Sequence, residues 1–300
     1  MIASVLLPTF VLLAVGYAFG KWAKVPSRPL AQLSFWVLSP GLIFESLRTA
    51  SLTASAAGVV AGFTVVYAFA MFLLSIPLRR WLFPKDPGAQ TAVSLVLTFG
   101  NCGNLGLPLL LFAYGQPGVD VGVVFLSTQI VLMSTLGVTL ATWDGKFRWR
   151  TSFTELLRVP WPYAVAAAVV VRGLNVWPPL LARATGLLAQ GAIPLFLLLL
   201  GIELAWIQPQ KVAKPAAVLA GARLLGGGAL AWGLALAFGT QGVLRGSLVL
   251  EGSVPSAVNA FLLASQYKRG ADVAAAALLL STVLSLGTLS LTLFLLARVG

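Results

Sequence analysis

The chain has 300 residues, of which 59% are hydrophobic and only 9% charged, and its formal net charge is +12. This composition holds more apolar surface than a soluble core can bury, so it excludes a soluble globular protein and indicates a polytopic membrane protein. Histidine is absent, which removes the commonest general base and metal ligand, and a single cysteine, Cys102, excludes an internal disulfide.

Ten apolar segments follow one another along the chain, each close to the ~20 residues that a helix needs to span a bilayer. We predict spans over residues 2–20, 29–47, 57–77, 89–114, 118–141, 160–177, 182–204, 212–238, 244–267 and 272–296. The expected fold class is therefore an all-α polytopic membrane protein with ten transmembrane helices.

Most of the 20 lysine and arginine residues fall in the connections that follow spans one, three, five, seven and nine. Positive charge accumulates on the cytoplasmic side of membrane proteins, so these connections are expected there. Both termini then lie on the non-cytoplasmic side of the cell membrane. The positive net charge is explained by this orientation, and we expect the lipid bilayer rather than a nucleic acid as the partner.

Two polar, glycine-containing runs interrupt this apolar pattern. Gly-Asn-Cys-Gly-Asn-Leu-Gly-Leu-Pro at 100–108 lies inside span four, and Glu-Gly-Ser-Val-Pro-Ser-Ala-Val-Asn at 251–259 lies inside span nine. Unpaired backbone groups in mid-bilayer are tolerated only where they line a cavity or are buried in protein. A matched pair of such breaks is typical of transporters built from repeats, with the site between two broken helices.

The prolines support a division into two equal halves. Pro40 lies in span two and Pro194 in span seven. The number of residues between them is nearly the same as that between Pro108, in span four, and Pro255, in span nine. Five spans are an odd number, so the second half enters the membrane from the opposite side and the repeat is inverted. We predict a first five-helix repeat over 1–141, a short cytoplasmic linker over 142–159 and a second repeat over 160–300.

The two interruptions together resemble the auxin efflux carrier family, and the resemblance covers essentially the whole chain. Further matches to that family are Pro40, Phe44, Gln129 and Arg223 with the glycines that follow it. The resemblance implies a scaffold of spans one, two, six and seven beside a mobile transport domain of spans three to five and eight to ten, with elevator-type alternating access. We also expect a homodimer through the scaffold helices. The long cytoplasmic loop of the plant carriers is missing here.

Each break starts a new half-helix, near Pro108 in span four and near Pro255 in span nine. Free N–H groups and the positive end of the helix dipole favour an anion at such starts. Asparagine and serine side chains in the breaks add further donors and acceptors. The predicted substrate site contains Asn101, Gly103, Asn104, Pro108, Gln129, Ser253, Pro255, Ser256 and Asn259. These residues fit a carboxylate, either auxin-like or a dicarboxylate, although they could also serve only to satisfy the broken backbone.

Charged residues within the spans need partners or a function. Glu251 abuts the second break, where it could hold sodium or a proton or belong to a structural ion pair. In the related bile acid sodium symporters a span-nine acid helps to bind sodium. For Arg223 we expect an ion pair within the bundle rather than substrate contact. Glu45 and Glu203 lie near span ends, where solvated side chains are expected, and Glu45 is also a candidate for ion coupling or an ion pair.

The favoured hypothesis is a secondary transporter of small organic anions that is not an enzyme and has no cofactor beyond a coupling H⁺ or Na⁺. A sodium-coupled symporter of the bile acid type is the alternative. An intramembrane enzyme would need paired acids or a histidine base, which the sequence does not offer. A channel would repeat its broken helices around a symmetric pore, whereas here both breaks lie in one chain.

Overall fold

The structure is a computed structural model, and it describes residues 2–142, 154, 156–174, 176–207 and 213–299. The named elements in these ranges are all helical. In chain order they are α1 (Ile2–Ala23), α2 (Ser27–Leu33), α3 (Ser39–Thr49), α4 (Ala54–Leu82), α5 (Pro87–Thr98), α6 (Leu107–Leu132), α7 (Val138–Thr142), α8 (Trp161–Leu174), α9 (Pro179–Trp206), α10 (Ala213–Gly221), α11 (Gly227–Ala237), α12 (Gly242–Ser253), α13 (Val258–Gln266) and α14 (Ala271–Val299). Wider π-helical turns cover Ser34–Leu38, Cys102–Gly106, Met133–Gly137 and Ala222–Gly226.

Seven helical stretches in the described ranges are long and apolar enough to cross a membrane. They are Ile2–Ala23, Ser27–Thr49, Ala54–Leu82, Cys102–Thr142, Pro179–Trp206, Lys214–Ala237 and Ala271–Arg298. The all-helical, multi-pass character expected from the sequence is confirmed at this level.

The difference from the ten predicted spans has local causes. Span four is divided between α5 and α6 and span nine between α12 and α13, so α5, α12 and α13 are each too short to count alone. Spans four and five fall within one stretch because the two helices that form α6 meet directly at a kink, where Gly115 leaves the helical conformation with φ 65°. Predicted span six corresponds to the 14-residue α8. The count of ten helices stays a prediction.

Several predicted features of the connections lie outside the described residues. They include most of the linker at 142–159 and the basic residues Lys146, Arg148, Arg150 and Lys211. The sidedness of the termini, which was inferred partly from these residues, stays a prediction as well.

The first broken helix has a well-defined beginning and end. Asp86 precedes α5, and its Oδ1 accepts a hydrogen bond of 2.9 Å from Ala89 N, while Pro87 occupies the first turn, where its missing N–H has no intrahelical partner. The helix ends where Phe99 turns to an extended conformation. In the second broken helix, Val254 turns to an extended conformation directly after α12. Both helices therefore stop at the interruptions that the sequence indicated.

The helices pack as two groups. One group, formed by α1, α2, α3, α8 and α9, packs mainly on itself, and the other contains α4 to α7 and α10 to α14. Within the first group α1 and α9 approach very closely, since a Cβ at Gly16 would collide with the Leu198 carbonyl and one at Gly201 with the Leu13 carbonyl. The two interruptions, at 100–108 and 251–259, meet where the broken helices cross. This crossing lies within the second group and faces the first.

Large apolar side chains cover the outside of both groups. Leu7, Phe69, Val169, Leu187 and Val283 are among those more than half exposed. A soluble protein would not present such a surface, whereas the acyl chains of lipids would cover it.

Candidate functional site

The two interruptions lie side by side in the structure. Asn101 N donates a hydrogen bond of 2.8 Å to Pro255 O, and Ala257 N donates one of 3.0 Å to Phe99 O. Gly100 and Ser256 face each other between these bonds as an antiparallel pair. Each broken helix thus supplies backbone partners to the other, which satisfies groups that would otherwise be unpaired in mid-bilayer.

Gln129, from α6, reinforces this crossing. Its Nε2 donates to Gly100 O at 2.7 Å, and Gly100 N donates to its Oε1 at 3.3 Å. Nε2 also lies 2.9 Å from Cys102 Sγ. Gln129 therefore satisfies broken backbone, which was one of the two roles left open for it, and it also lines the cavity beside the crossing.

Arg223 is fully buried beneath the crossing. Its Nε donates to Val254 O at 3.0 Å, and its Nη1 donates to Leu97 O at 3.1 Å and to Tyr67 Oη at 3.0 Å. The Tyr67 hydroxyl donates in turn to Gly252 O at 2.6 Å. The two main-chain acceptors of Arg223 belong to the ends of the two first half-helices, where unpaired carbonyls favour a positive charge.

These contacts correct the ion pair expected for Arg223. Its hydrogen-bond acceptors in the described residues are two carbonyls and a hydroxyl, and none of them is a carboxylate. The carbonyl ends of two broken helices already carry partial negative charge, so they take the place of a carboxylate partner. The glycine at position 100 leaves room for the guanidinium of Arg223, because a Cβ there would collide with it.

The carboxyl group of Glu251 is also fully buried. It lies against Gly106 and Gly122, where a Cβ would contact it, and neither of its oxygens finds a hydrogen-bond partner in the described part of the chain. Glu251 belongs to the crossing but does not line the cavity beside it.

A cavity of about 120 Å³, the crossing cavity, separates the crossing from the first helix group. At ~30 Å³ for each water, it has room for about four water molecules or a small organic ion. Its polar lining from the crossing is Asn101, Cys102, Asn104, Gln129 and Asn259. The opposite wall comes from the first group and includes Ser34, Phe35, Trp161, Phe196 and Glu203.

The structure brings together only part of the site predicted from the sequence. The predicted residues that line the crossing cavity are Asn101, Gly103, Asn104, Gln129 and Asn259. Those that do not line it are Pro108, Ser253, Pro255 and Ser256. The last four are buried in the crossing itself, where the Pro255 carbonyl and the Ser256 N–H serve as backbone partners.

Glu45 lies away from the crossing. It forms an ion pair with Arg48 and accepts a hydrogen bond of 2.7 Å from Thr185 Oγ1. It lines a separate cavity of about 480 Å³, together with Gln116 and Gln190. The structure therefore gives Glu45 an ion pair but does not place it beside the crossing cavity.

Glu203 was expected to be solvated at a membrane interface, and the structure corrects this. Its Oε2 is buried without a hydrogen-bond partner among the described residues, and the side chain lines the crossing cavity. The sequence feature that could have identified Glu203 is that it is a single acid in an otherwise apolar stretch of α9. Such a residue is a candidate for function by default.

A sequence model of a family described as "Membrane transport protein" matches residues 1–294. An "Uncharacterized transporter" of Methanothermobacter thermautotrophicus is 27% identical over 301 residues, covering 95% of each chain. A "Putative malonate transporter" of Rhizobium meliloti is 26% identical over 98% of this chain and 95% of its own. An "Uncharacterized transporter" of Methanocaldococcus jannaschii is 22% identical over 96% of each chain.

Proposed function

Because this chain belongs to the membrane transport protein family, the family of the auxin efflux carriers, we propose that it is a secondary transporter that moves small organic anions across the cell membrane. The substrate class is a carboxylate, and a short dicarboxylate such as malonate is the first to test. The name of the Rhizobium relative supports this choice. The proposal makes the protein a carrier and not an enzyme.

The crossing cavity carries this proposal. Residues 102–104 and 257–259, at the starts of the two second half-helices, line it, so both positive helix ends border the same small space. Asn101 adds a donor, since its Nδ2 is buried and has no hydrogen-bond partner among the described residues. Asn104 and Asn259 lie on the same wall. A carboxylate can accept from several of these donors at once.

Arg223 supports an anion site in a second way. Its guanidinium binds the carbonyl ends of the first half-helices, so partial negative charge there is already neutralised. The positive ends of the second half-helices are left to face the cavity. The local field therefore favours a negative solute.

For the mechanism we propose elevator-type alternating access. The group of α1, α2, α3, α8 and α9 would be the scaffold, and the other group would move with the substrate. The close approach of Gly16 and Gly201 supports a rigid scaffold, because backbones in contact leave little freedom to slide. The proposed ten spans would form two inverted repeats, over 1–141 and 160–300, joined by the linker at 142–159. A homodimer through the scaffold helices and termini on the non-cytoplasmic side belong to the same proposal.

For coupling we propose that Glu251 holds the coupling cation, a proton or sodium. A buried carboxylate whose two oxygens have no partner in the described residues fits either cation. A single carboxylate makes a sparse sodium site, since hard cations prefer several oxygen ligands. A proton is therefore the favoured alternative, and a sodium-coupled symporter is the other.

Reconstituted protein provides the test. Liposomes that contain it should take up labelled malonate with saturation and should show counterflow when they are preloaded with unlabelled malonate. Binding should discriminate between malonate and malonamide, because the diamide loses the charge that the helix ends favour. Uptake without saturation or counterflow would indicate a channel. Equal binding of the acid and the amide, repeated with other carboxylates, would contradict an anion site.

A further inference from the structure

We propose that Glu203 is a proton-binding residue of the crossing cavity, and that the substrate anion binds together with a proton on its carboxyl group. The inference rests on the proposed transport of organic anions and adds a residue of the first helix group to the site. It places the coupling proton on this acid of α9 instead of on Glu251, and it leaves sodium as the cation for Glu251.

The position of Glu203 is the first support. It lines the crossing cavity opposite Asn101 and Asn104 and also lines a second cavity of about 390 Å³. This second cavity, the end cavity, lies where α9 ends and α14 begins, and Trp206 and Asp272 line it too. Among the described residues, Glu203 is the charged side chain that lines both cavities.

The state of its carboxyl group is the second support. Oε2 is buried without a hydrogen-bond partner in the described part of the chain. A charged carboxylate in such a place needs a counter-charge, a set of donors or a proton. The amides across the crossing cavity are neutral, and Arg223 is bonded to the other side of the crossing. A proton is the remaining way to neutralise it when an anion is near.

The other ionisable groups around Glu203 leave this role to it. Cys102 shares the crossing cavity, and Asp272, on α14, shares the end cavity. Lys21 on α1 and Arg28 on α2 are exposed and line neither cavity. No described cation therefore borders either cavity with Glu203.

The coupling follows from charge alone. A substrate carboxylate and a charged Glu203 in one small, water-poor cavity repel each other, so anion binding promotes proton uptake by Glu203. By reciprocal linkage, the proton on Glu203 promotes anion binding. Affinity for the anion should then rise as the pH falls. The end cavity would let a proton reach Glu203 without passing the anion, forming an O–H bond on the carboxylate.

Calorimetric titration of the purified full-length protein with malonate tests the proposal. The titrations use buffers of different ionisation enthalpy, at pH values where both malonate carboxyls are ionised. We expect wild type to take up close to one proton for each malonate bound, and its affinity to fall by up to ~tenfold for each pH unit once Glu203 is charged. The isosteric Glu203→Gln should bind malonate without proton uptake and with an affinity that no longer depends on pH.

Asp272→Asn is the matched control, because it removes the acid that lines only the end cavity; it should retain proton uptake. Malonate binding without proton uptake in wild type would overturn the role of Glu203 and leave the proposed function intact. Uptake that survives Glu203→Gln, or that disappears in Glu251→Gln instead, would overturn it as well. If no carboxylate binds at any pH but alkylammonium ions do, the proposed function itself fails, and Glu203 is then a site for a cationic substrate.

Discussion

The side-chain amide of Gln129 and the main chain of Gly100 exchange two hydrogen bonds, of 2.7 and 3.3 Å. Gly100 lies at a break in its own helix, so its N–H and C=O groups have no helical partners. Gln129 supplies both partners from a neighbouring helix, in the way that an adjacent strand would. A glutamine at this position therefore closes the crossing on the side that faces the cavity.

Replacing Gln129 should destabilise the crossing. Gln129→Ala leaves two buried backbone groups of Gly100 unpaired, each at a cost of ~1–3 kcal/mol. We expect a clear fall in the thermal unfolding midpoint in detergent and weaker malonate binding. Thr128→Ala is a suitable control, because within the described part of the chain the Thr128 hydroxyl bonds to Val124 O of its own helix. Equal midpoints for the two variants would show that Gln129 is not needed to hold the crossing.

Arg223 should not be replaceable by lysine. Its guanidinium reaches three oxygens from two different nitrogens, whereas an ammonium group is a single point charge on a flexible stem. Each lost hydrogen bond to a charged group is worth ~1.5–3 kcal/mol. We expect Arg223→Lys to lower the unfolding midpoint strongly. Arg245→Lys, in the first turn of α12, where Nε donates a single hydrogen bond to Thr240 O, should change it little. A stable Arg223→Lys protein would mean that charge alone holds the crossing.

The contact between α1 and α9 should tolerate no side chain at Gly16. The Cβ of alanine would collide with the Leu198 carbonyl, and a backbone cannot move aside as a flexible side chain can. Overpacking of this kind costs ~1–3 kcal/mol. Gly186→Ala, on α9 with open space around it, is the control and should be neutral or stabilising, since alanine favours helix over glycine. The comparison needs only thermal unfolding of the two variants and wild type, and equal unfolding would contradict a rigid contact.

Alanine at the cavity asparagines should weaken anion binding. A lost hydrogen bond to a charged group is worth ~1.5–3 kcal/mol, or roughly tenfold or more in the dissociation constant for malonate, so we expect at least this loss for Asn101→Ala, Asn104→Ala or Asn259→Ala. The variants should remain folded and monodisperse. Gln241→Ala, at the exposed start of α12, serves as a control for the loss of an amide. Wild-type affinity in all three asparagine variants would remove these residues from the site.

The breaks and their pairing were predictable because glycine, asparagine and proline runs have few acceptable places inside an apolar span. The partners of Arg223 were not, since Tyr67, Leu97 and Val254 are distant in sequence and meet only through packing. Glu203 was missed for a related reason. The helix α9 is apolar on most sides, so no polar stripe shows which face turns to a cavity. The position of Glu203 near the end of α9 indicated the membrane interface. Only the packing of α9 against the crossing shows that this side chain faces a cavity.

The last prediction concerns Glu251 and the coupling cation. Glu251→Gln preserves shape and removes the charge, so it should abolish any sodium dependence of malonate binding more completely than it weakens binding itself. Glu251 and Glu203 can be separated, because Glu251 lies against Gly106 and Gly122 and outside the crossing cavity, whereas Glu203 lines it. The measurement is malonate binding by both Gln variants across a series of sodium concentrations and pH values.

We expect Glu203→Gln to remove the pH dependence that proton uptake produces. Any sodium dependence should persist in that variant and disappear in Glu251→Gln, because a cation at Glu251 would stabilise the bound anion from behind Gly106. If wild-type binding and uptake are indifferent to both sodium and pH, both acids are structural. The carrier is then a uniporter, driven by the gradient of its anion and by the membrane potential. If the Glu251→Gln variant keeps the sodium dependence of wild type, the cation binds elsewhere and Glu251 only fills the space beneath the crossing.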